Sequence, residues 1–493
     1  MENRLQGEGA LWPVVNGAGP RRLALSAALL TLMVAELVWL FSGWRAAQVA
    51  GQVAAIVFIL IDLRLAVAGL RQGLLFVLAI GLTAWIAATH ADPGATLSKA
   101  LDQGTYLMAF ILLISLLREG AQSSPAVLAC GNYLTHQPPG RRYLSLHGGS
   151  HLLAVLINFG AISLLAPLVM RGVRASLGLG EALSEIWRVR ERRQLCGLYR
   201  GMTFIVAWAP TTITQAILPA AIPGIDPQRL IWLGLMAVAI TLAVGWLEDR
   251  VRWWPLRRRL LASGEAPRLE RPEFPARAFL DFALVCASLV GLVIVVRYLA
   301  SVRTVPALML SAPMMLIGWL LMQNRHLGVD RMSRKTRRRL AEIVSGSIPD
   351  SSIEVFILGL AGFVGVALAS IVPIDTVAAL LNQSPLPPWA FLAAIPLIMF
   401  VVAQFGLTSI TVGVIFGTVL GALPELPTDP TLVALALGCG WAIAMMGSPF
   451  SSVALLLSRI SGHTPVVIAL NWNLTYSIAS LLALTLFFYL LAG

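Results

Sequence analysis

The sequence predicts an all-α polytopic membrane protein with about eleven transmembrane helices, arranged as two inverted repeats with opposed re-entrant hairpins and broken helices. Three observations predict it. First, the 493 residues are 58% hydrophobic and 12% charged, with a mean hydropathy of +0.81. No soluble globular chain needs that much apolar surface. Second, a polar, glycine-containing interruption occurs once in each half, as Asn158-Phe159-Gly160-Ala161-Ile162-Ser163 and Gln404-Phe405-Gly406-Leu407-Thr408-Ser409. Each is followed about fifty residues later by a second break, Trp208-Ala209-Pro210-Thr211-Thr212 and Gly447-Ser448-Pro449-Phe450-Ser451-Ser452. Paired broken segments at corresponding positions of two halves point to a secondary-transporter binding site. Third, arginine alternates between loops in the way that membrane topology demands.

The predicted spans lie near 23–41, 49–66, 73–89, 103–118, 201–219, 229–247, 278–299, 305–323, 353–371, 432–457 and 465–491. The span 23–41, within an N-terminal segment 1–48, has no counterpart in the second half. Repeat 1 covers 49–247 and holds the interrupted stretch 143–170. The stretch 248–277 reads as a cytoplasmic linker, with Trp253 and Trp254 at headgroup level. Repeat 2 covers 278–493 and holds the interrupted stretch 389–421. The segment 177–200 mixes apolar residues with Arg and Glu and reads as a helix on the membrane surface.

Orientation follows from the basic residues. The stretches 171–200, 248–277 and 324–342 are rich in arginine, whereas the alternate loops carry Asp226, Asp375, Glu425 and Asp429. The arginine-rich side is cytoplasmic by the positive-inside rule, and the N-terminus, with Arg4, Arg21 and Arg22, lies there too. Arg141 and Arg142 before the first interrupted stretch, and Arg171 and Arg174 after it, put both its ends inside. The acidic flanks of the second put both its ends outside. One hairpin therefore opens inward and the other outward, as an inverted repeat requires. The expected location is a bacterial-type inner (plasma) membrane, with the C-terminus outside.

Other function classes are excluded on composition. The net charge of +12 comes from arginines between spans, so no nucleic-acid partner is expected. The four cysteines, Cys130, Cys196, Cys286 and Cys439, have no metal-ligand spacing. No Ser-His-Asp pattern, metal-spaced His/Cys set or Walker loop is present, so the chain does not read as an enzyme.

The breaks carry neutral hydrogen-bonding groups. Neither 143–170, 201–219, 389–421 nor 432–457 contains Asp or Glu. A cation/proton antiporter usually needs a buried carboxylate. A neutral pocket lined by half-helix ends suits an anionic substrate, with Na⁺ held by carbonyls and hydroxyls. Candidate substrate-binding residues are Asn158, Phe159, Gly160, Ser163, Thr211, Thr212, Gln404, Gly406, Thr408, Ser409, Ser448 and Ser451. Candidate Na⁺ sites lie near Asn158, Thr212, Gln404, Ser448 and Ser452, and no other cofactor is expected. The expected function is transport of a small anionic solute, dicarboxylate-like or another organic or inorganic anion, coupled to Na⁺. A proton-coupled carrier relayed by His151, beside His147 in the first hairpin, is the alternative; an efflux pump is another. Glu36 sits deep in the first span and needs a partner that the sequence does not identify.

Asn158, followed nine residues later by Pro167, resembles the hairpin signature of the ion transporter superfamily. That superfamily includes the divalent anion/sodium symporters and, more distantly, the arsenite efflux pumps. The symporter signature is Ser-Asn-Thr followed by small and apolar residues up to a proline. Here Ile157-Asn158-Phe159 keeps only the Asn, Gln404 replaces it in the second hairpin, and Gly413 stands where the second proline would be. The order of elements matches along about 440 residues, opposed hairpins included. The resemblance implies a homodimer with a fixed scaffold and a moving transport domain, an elevator mechanism.

Overall fold

The structure is a computed structural model that describes residues 19–138, 140–174, 181–262, 273–383, 386–406 and 409–493. Arg4, Arg268, Arg271, Thr408 and the start of the segment 177–200 lie outside the described residues. Every regular element among those described is helical. Nine helices there are long and apolar enough to cross a membrane.

The chain opens with α1 (Pro20–Ser42), α2 (Arg45–Ile61), α3 (Leu70–Thr89), α4 (Pro93–Gln122) and the short α5 (Pro125–Thr135). Next comes a helical hairpin, α6 (Arg142–Ile157) and α7 (Gly160–Arg174), joined at Asn158-Phe159. Helix α8 (Glu181–Thr203) passes through a 3₁₀ turn over Phe204–Ala207, breaks, and resumes as α9 (Ile213–Ala221) before α10 (Pro227–Ala262). The second half contains α11 (Ala276–Ala300), α12 (Thr304–Asn324), α13 (Val329–Glu342), the single turn α14 (Ile348–Asp350), α15 (Ser352–Ile371) and α16 (Ile374–Gln383). A second hairpin follows, α17 (Pro388–Ala403) and α18 (Ser409–Gly421). The chain closes with α19 (Pro430–Gly447), a break, α20 (Ser452–Ser461) and α21 (Leu474–Ala492).

Local sequence explains the ends. Asp92 accepts a hydrogen bond from the Ala95 amide at 3.0 Å, with Pro93 in the first helical position of α4. Asp429 and Pro430 start α19 the same way, the carboxylate accepting from the Thr431 and Leu432 amides. Gly43 ends α1 in the left-handed region at φ 66°.

Two packing centres result. Helices α4 and α15 pack along each other, and a Cβ on Gly104 would sit 2.8 Å from the Gly359 carbonyl oxygen. Small residues at such crossings let membrane helices approach closely. The second centre surrounds α19, buried at every position from Thr431 to Gly447 between α17, α18, α10 and the 3₁₀ turn. Outer helices such as α3 and α11 expose apolar side chains, among them Val77, Trp85, Leu284 and Ile294. That surface suits lipid rather than water.

One difference from the expected spans has a physical cause. Helix α2 has only 17 residues before a 3₁₀ turn, short for a full crossing. The stretch 201–219 carries the break expected at Trp208–Thr212, which splits it between the end of α8 and α9. The surface helix expected over 177–200 is corrected as well. Its described part is α8, packed on α6, with Gln194, Leu195, Leu198, Tyr199 and Arg200 buried. Two of its arginines are paired inside the protein. Arg193 makes a two-pronged bond to Asp249 at 2.9 and 2.7 Å, and Arg200 meets Glu248 at 2.8 Å. An amphipathic pattern of Arg and Glu thus marks a face packed on α10, not one laid on lipid. Helix α10 itself runs to Ala262, so the first half of the stretch read as a linker is helical.

Charged residues near span ends are mostly paired. Asp62 meets Arg21, Glu119 meets Arg339 at 3.0 Å, and Asp102 accepts from the Gln48 and Gln52 amides at 2.7 and 2.6 Å. Glu36 is buried, 5% exposed, on α1.

Candidate functional site

Each hairpin ends at a residue that stops its helix. Asn158 caps α6 with φ 48° and ψ −125°, a conformation that L residues rarely adopt. In the second hairpin, Gly406 takes the positive φ, 90°. A strained non-glycine residue at a helix break is the kind of feature that clusters at binding sites.

Each break is tied to the first helix of its own hairpin. The Thr211 hydroxyl donates to the Val155 carbonyl at 2.5 Å, and the Ser448 hydroxyl donates to the Ala403 carbonyl at 2.7 Å. The contacts then cross over: α20 packs on α7, and α9 packs on α18. The four half-helix ends therefore meet. At the meeting point is a small open cavity. It is lined by Asn158 and Phe159, Val206, Thr212 to Thr214, Ser409 and Ile410, Trp441 and Met445, and Ser451 and Ser452.

No charged side chain is among the described lining residues. The polar groups are one carboxamide and several hydroxyls; the rest of the wall is apolar. Trp441 reaches the cavity from the middle of α19 because α18 carries Gly413, where a Cβ would sit 2.3 Å from the indole. The position at which the superfamily signature would have proline is thus the one that admits a tryptophan ring.

The sequence candidates divide into three groups. Asn158, Phe159, Thr212, Ser409, Ser451 and Ser452 line the cavity. Thr211, Gln404 and Ser448 stand behind it and hold the breaks to the hairpins. The Gln404 amide donates to the Phe400 carbonyl at 3.0 Å and to the Gly447 carbonyl at 3.2 Å, closing the last turn of α19. Gly160, Ser163 and Gly406 do not line the cavity: Gly160 packs against the Arg118 side chain, and Ser163 is exposed. The Asn158 carboxamide makes no side-chain hydrogen bond among the described residues, so its donors and acceptor are available at the cavity. Trp441, Met445, Val206 and Ile410 were not among the sequence candidates. The lone large aromatic in the small-residue run of α19 was the available signal for Trp441.

Both histidines of the first hairpin are buried. His151 Nδ1 lies 2.8 Å from the Gly201 carbonyl oxygen, and its Nε2 lies 2.9 Å from Trp208 Nε1. A carbonyl can only accept and an indole N–H can only donate, so His151 is neutral with its proton on Nδ1. The His147 ring makes no hydrogen bond among the described residues.

No protein-family model matches the chain, and no curated protein matches it. Solved structures do. The chain is similar to the YdaH transporter of Alcanivorax borkumensis, whose topology is described as unusual, with TM-score 0.56 and 16% identity over 84% of this chain and 96% of that one. It is also similar to Neisseria gonorrhoeae MtrF, a structure said to illuminate a class of antimetabolite efflux pumps, with TM-score 0.53 and 14% identity over 84% and 94% of the two chains. At these identities the shared property is the fold, that of a polytopic helical membrane protein.

Proposed function

We propose that this protein is a secondary active transporter of a small anionic solute, coupled to Na⁺, with alternating access by elevator movement of the part that carries the cavity. One observation carries this reading. Two hairpin ends and two helix breaks, one of each from either half of the chain, line a single uncharged cavity. Half-helix ends offer N–H groups to an anion and carbonyls to a small cation. The inverted-repeat reading is supported by the matching order of elements and by the crossed packing of α20 on α7 and α9 on α18. Membership of the ion transporter superfamily, a homodimer and an N-terminus in the cytoplasm belong to the same proposal.

His151 speaks against the proton-coupled alternative. Protonation would put a second hydrogen on Nε2, against the Trp208 N–H that already points there. Efflux of the solute is favoured by the likeness to MtrF and stays as the second reading of direction.

The test is transport by the purified protein reconstituted in liposomes. A panel of radiolabelled mono- and dicarboxylates, sulfate and arsenite is offered with an inward Na⁺ gradient, an inward proton gradient, or neither. Concentrative movement of an anion that needs Na⁺ supports the proposal. Movement driven by protons alone in Na⁺-free buffer would replace the coupling ion.

A further inference from the structure

We infer that the N-terminus of α9 is the oxyanion subsite of the cavity, and that its ligand has one carboxylate head and an apolar body; the inference rests on the anion-transport reading above. Two helices begin at the cavity after a break, and their starts differ. At α20 the Ser451 hydroxyl accepts from the Ala454 amide at 3.1 Å and lies 3.0 Å from the Tyr199 hydroxyl. That helix end is already capped from within.

At α9 the corresponding residue, Thr212, does not cap. Its hydroxyl donates backward to the Ala209 carbonyl at 2.7 Å. The amides of Ile213, Thr214 and Gln215 have no acceptor among the described residues. At the second position of this helix, the Thr214 side chain is fully buried, lines the cavity, and has no hydrogen-bond partner for its hydroxyl among the described residues. A helical threonine ordinarily donates to the carbonyl four residues back. This one is left open beside a row of unmet N–H groups, and a buried unpaired donor costs free energy until something accepts from it. An oxyanion accepts from both the amides and the hydroxyl, and the helix end favours its charge. Asn158, across the cavity, offers a further carboxamide donor. The rest of the described lining is the apolar Phe159, Val206, Ile410, Trp441 and Met445 with the hydroxyls of Ser409, Ser451 and Ser452; it offers no cation to a second carboxylate and an apolar stretch to carbon.

The test measures binding to the full-length purified protein in Na⁺ buffer, by calorimetry and thermal shift, with hexanoate, succinate and sulfate as probes. Hexanoate is expected to bind more tightly than succinate or sulfate. Thr214→Val should weaken hexanoate about tenfold, the size of one hydrogen bond to a charged group. Thr214→Ser should restore it to within about twofold. Thr214→Val should melt no lower than wild type, because it removes an unpaired buried hydroxyl. Asp92→Ala, which removes the cap of α4 and does not line the cavity, should lower the melting temperature and leave hexanoate affinity within about twofold. Equal binding of hexanoate by wild type and Thr214→Val, or a preference for succinate or sulfate, overturns this placement alone. If no anion binds the wild type, the anion reading of the cavity falls and this subsite falls with it.

Discussion

Ser448 donates its hydroxyl hydrogen to the main-chain carbonyl of Ala403 at 2.7 Å, and in doing so ties the break between α19 and α20 to the end of α17. Thr211 makes the matching bond to Val155 in the first half of the chain. Both carbonyls belong to the last turn of a helix whose following residues turn away, so neither has a complete set of intrahelical partners. Ser448→Ala should leave the Ala403 carbonyl without this donor and destabilise the protein by about 1–3 kcal/mol. Thr211→Val should do the same at Val155. Thermal unfolding in detergent reads both, and unchanged midpoints would mean that water replaces the two hydroxyls.

Asn158 and Gln404 occupy corresponding positions in the sequence, but their side chains are used differently. Gln404 spends its amide on the Phe400 and Gly447 carbonyls. Asn158 lines the cavity with its carboxamide uncommitted. Gln404→Ala should therefore lower the melting midpoint, by about 1–2 kcal/mol in stability, through the loss of two hydrogen bonds. Asn158→Ala should change the midpoint little and weaken solute binding tenfold or more, on the scale of about 1.4 kcal/mol per decade. Measuring both quantities on both variants separates the roles, and a reversed pattern would reassign them.

His151 holds the first break to the first hairpin through Trp208. Gln at this position can still donate to the Gly201 carbonyl and accept from the indole N–H. His151→Gln should keep transport and its coupling ion, with stability within about 1 kcal/mol of wild type. His151→Leu leaves a buried N–H and a buried carbonyl unpaired and should destabilise by about 2–4 kcal/mol. If His151→Gln instead abolishes a pH-dependent rate, the neutral assignment is wrong.

Asp429 supplies a pH prediction outside the spans. Partial burial alone would raise its carboxyl, but hydrogen bonds from Arg229 and from the Thr431 and Leu432 amides outweigh it and hold the group below the usual range. A depressed carboxylate stabilises the fold fully above the pKa of the unfolded chain, about 3.9, and loses that contribution as pH falls through the lower folded value. The gap in melting temperature between wild type and Asp429→Asn should therefore be constant from neutral pH down to about 5, and close below about 4. A gap that persists unchanged into strong acid would mean that the carboxylate is not the source of the difference.

Much of the architecture was legible because it is written in interruptions. Asn158-Phe159-Gly160 and Gln404-Phe405-Gly406 stop apolar helices midway, and such breaks have few causes inside a bilayer. What the sequence left unreadable depends on contacts across the fold. Nothing local says that the Gln404 amide will find the Gly447 carbonyl while the Asn158 amide finds open space. Nothing near Gly413 says that Trp441 will fill the room it leaves. The sequence assigns the arginines of 171–200 to the cytoplasmic side, with 177–200 as a helix on the membrane surface. Several instead serve α8, and their partners Glu248 and Asp249 lie far along the chain.

Arg200 shows what that misreading conceals. Its side chain is 2% exposed and its guanidinium joins three elements. It donates to Glu248 on α10 and to Asn473 Oδ1 before α21, each at 2.8 Å, and lies 4.3 Å from the centre of the Tyr476 ring. The planar guanidinium suits this arrangement, with separate N–H groups for the carboxylate and the amide oxygen and a flat face for the ring. Arg200→Met should leave Glu248 with only Arg252 and leave the Asn473 oxygen unpaired, destabilising the fold by about 3–5 kcal/mol. Arg200→Lys keeps the charge and loses the fork, so it should recover less than half of that loss. Arg200→Met combined with Glu248→Gln removes both charges and should be more stable than Arg200→Met alone, because the penalty is dominated by the carboxylate left behind. Unfolding midpoints of the three variants decide the point. If the double variant is no better than Arg200→Met, the cation acts through its packing on Tyr476 rather than through its ion pair.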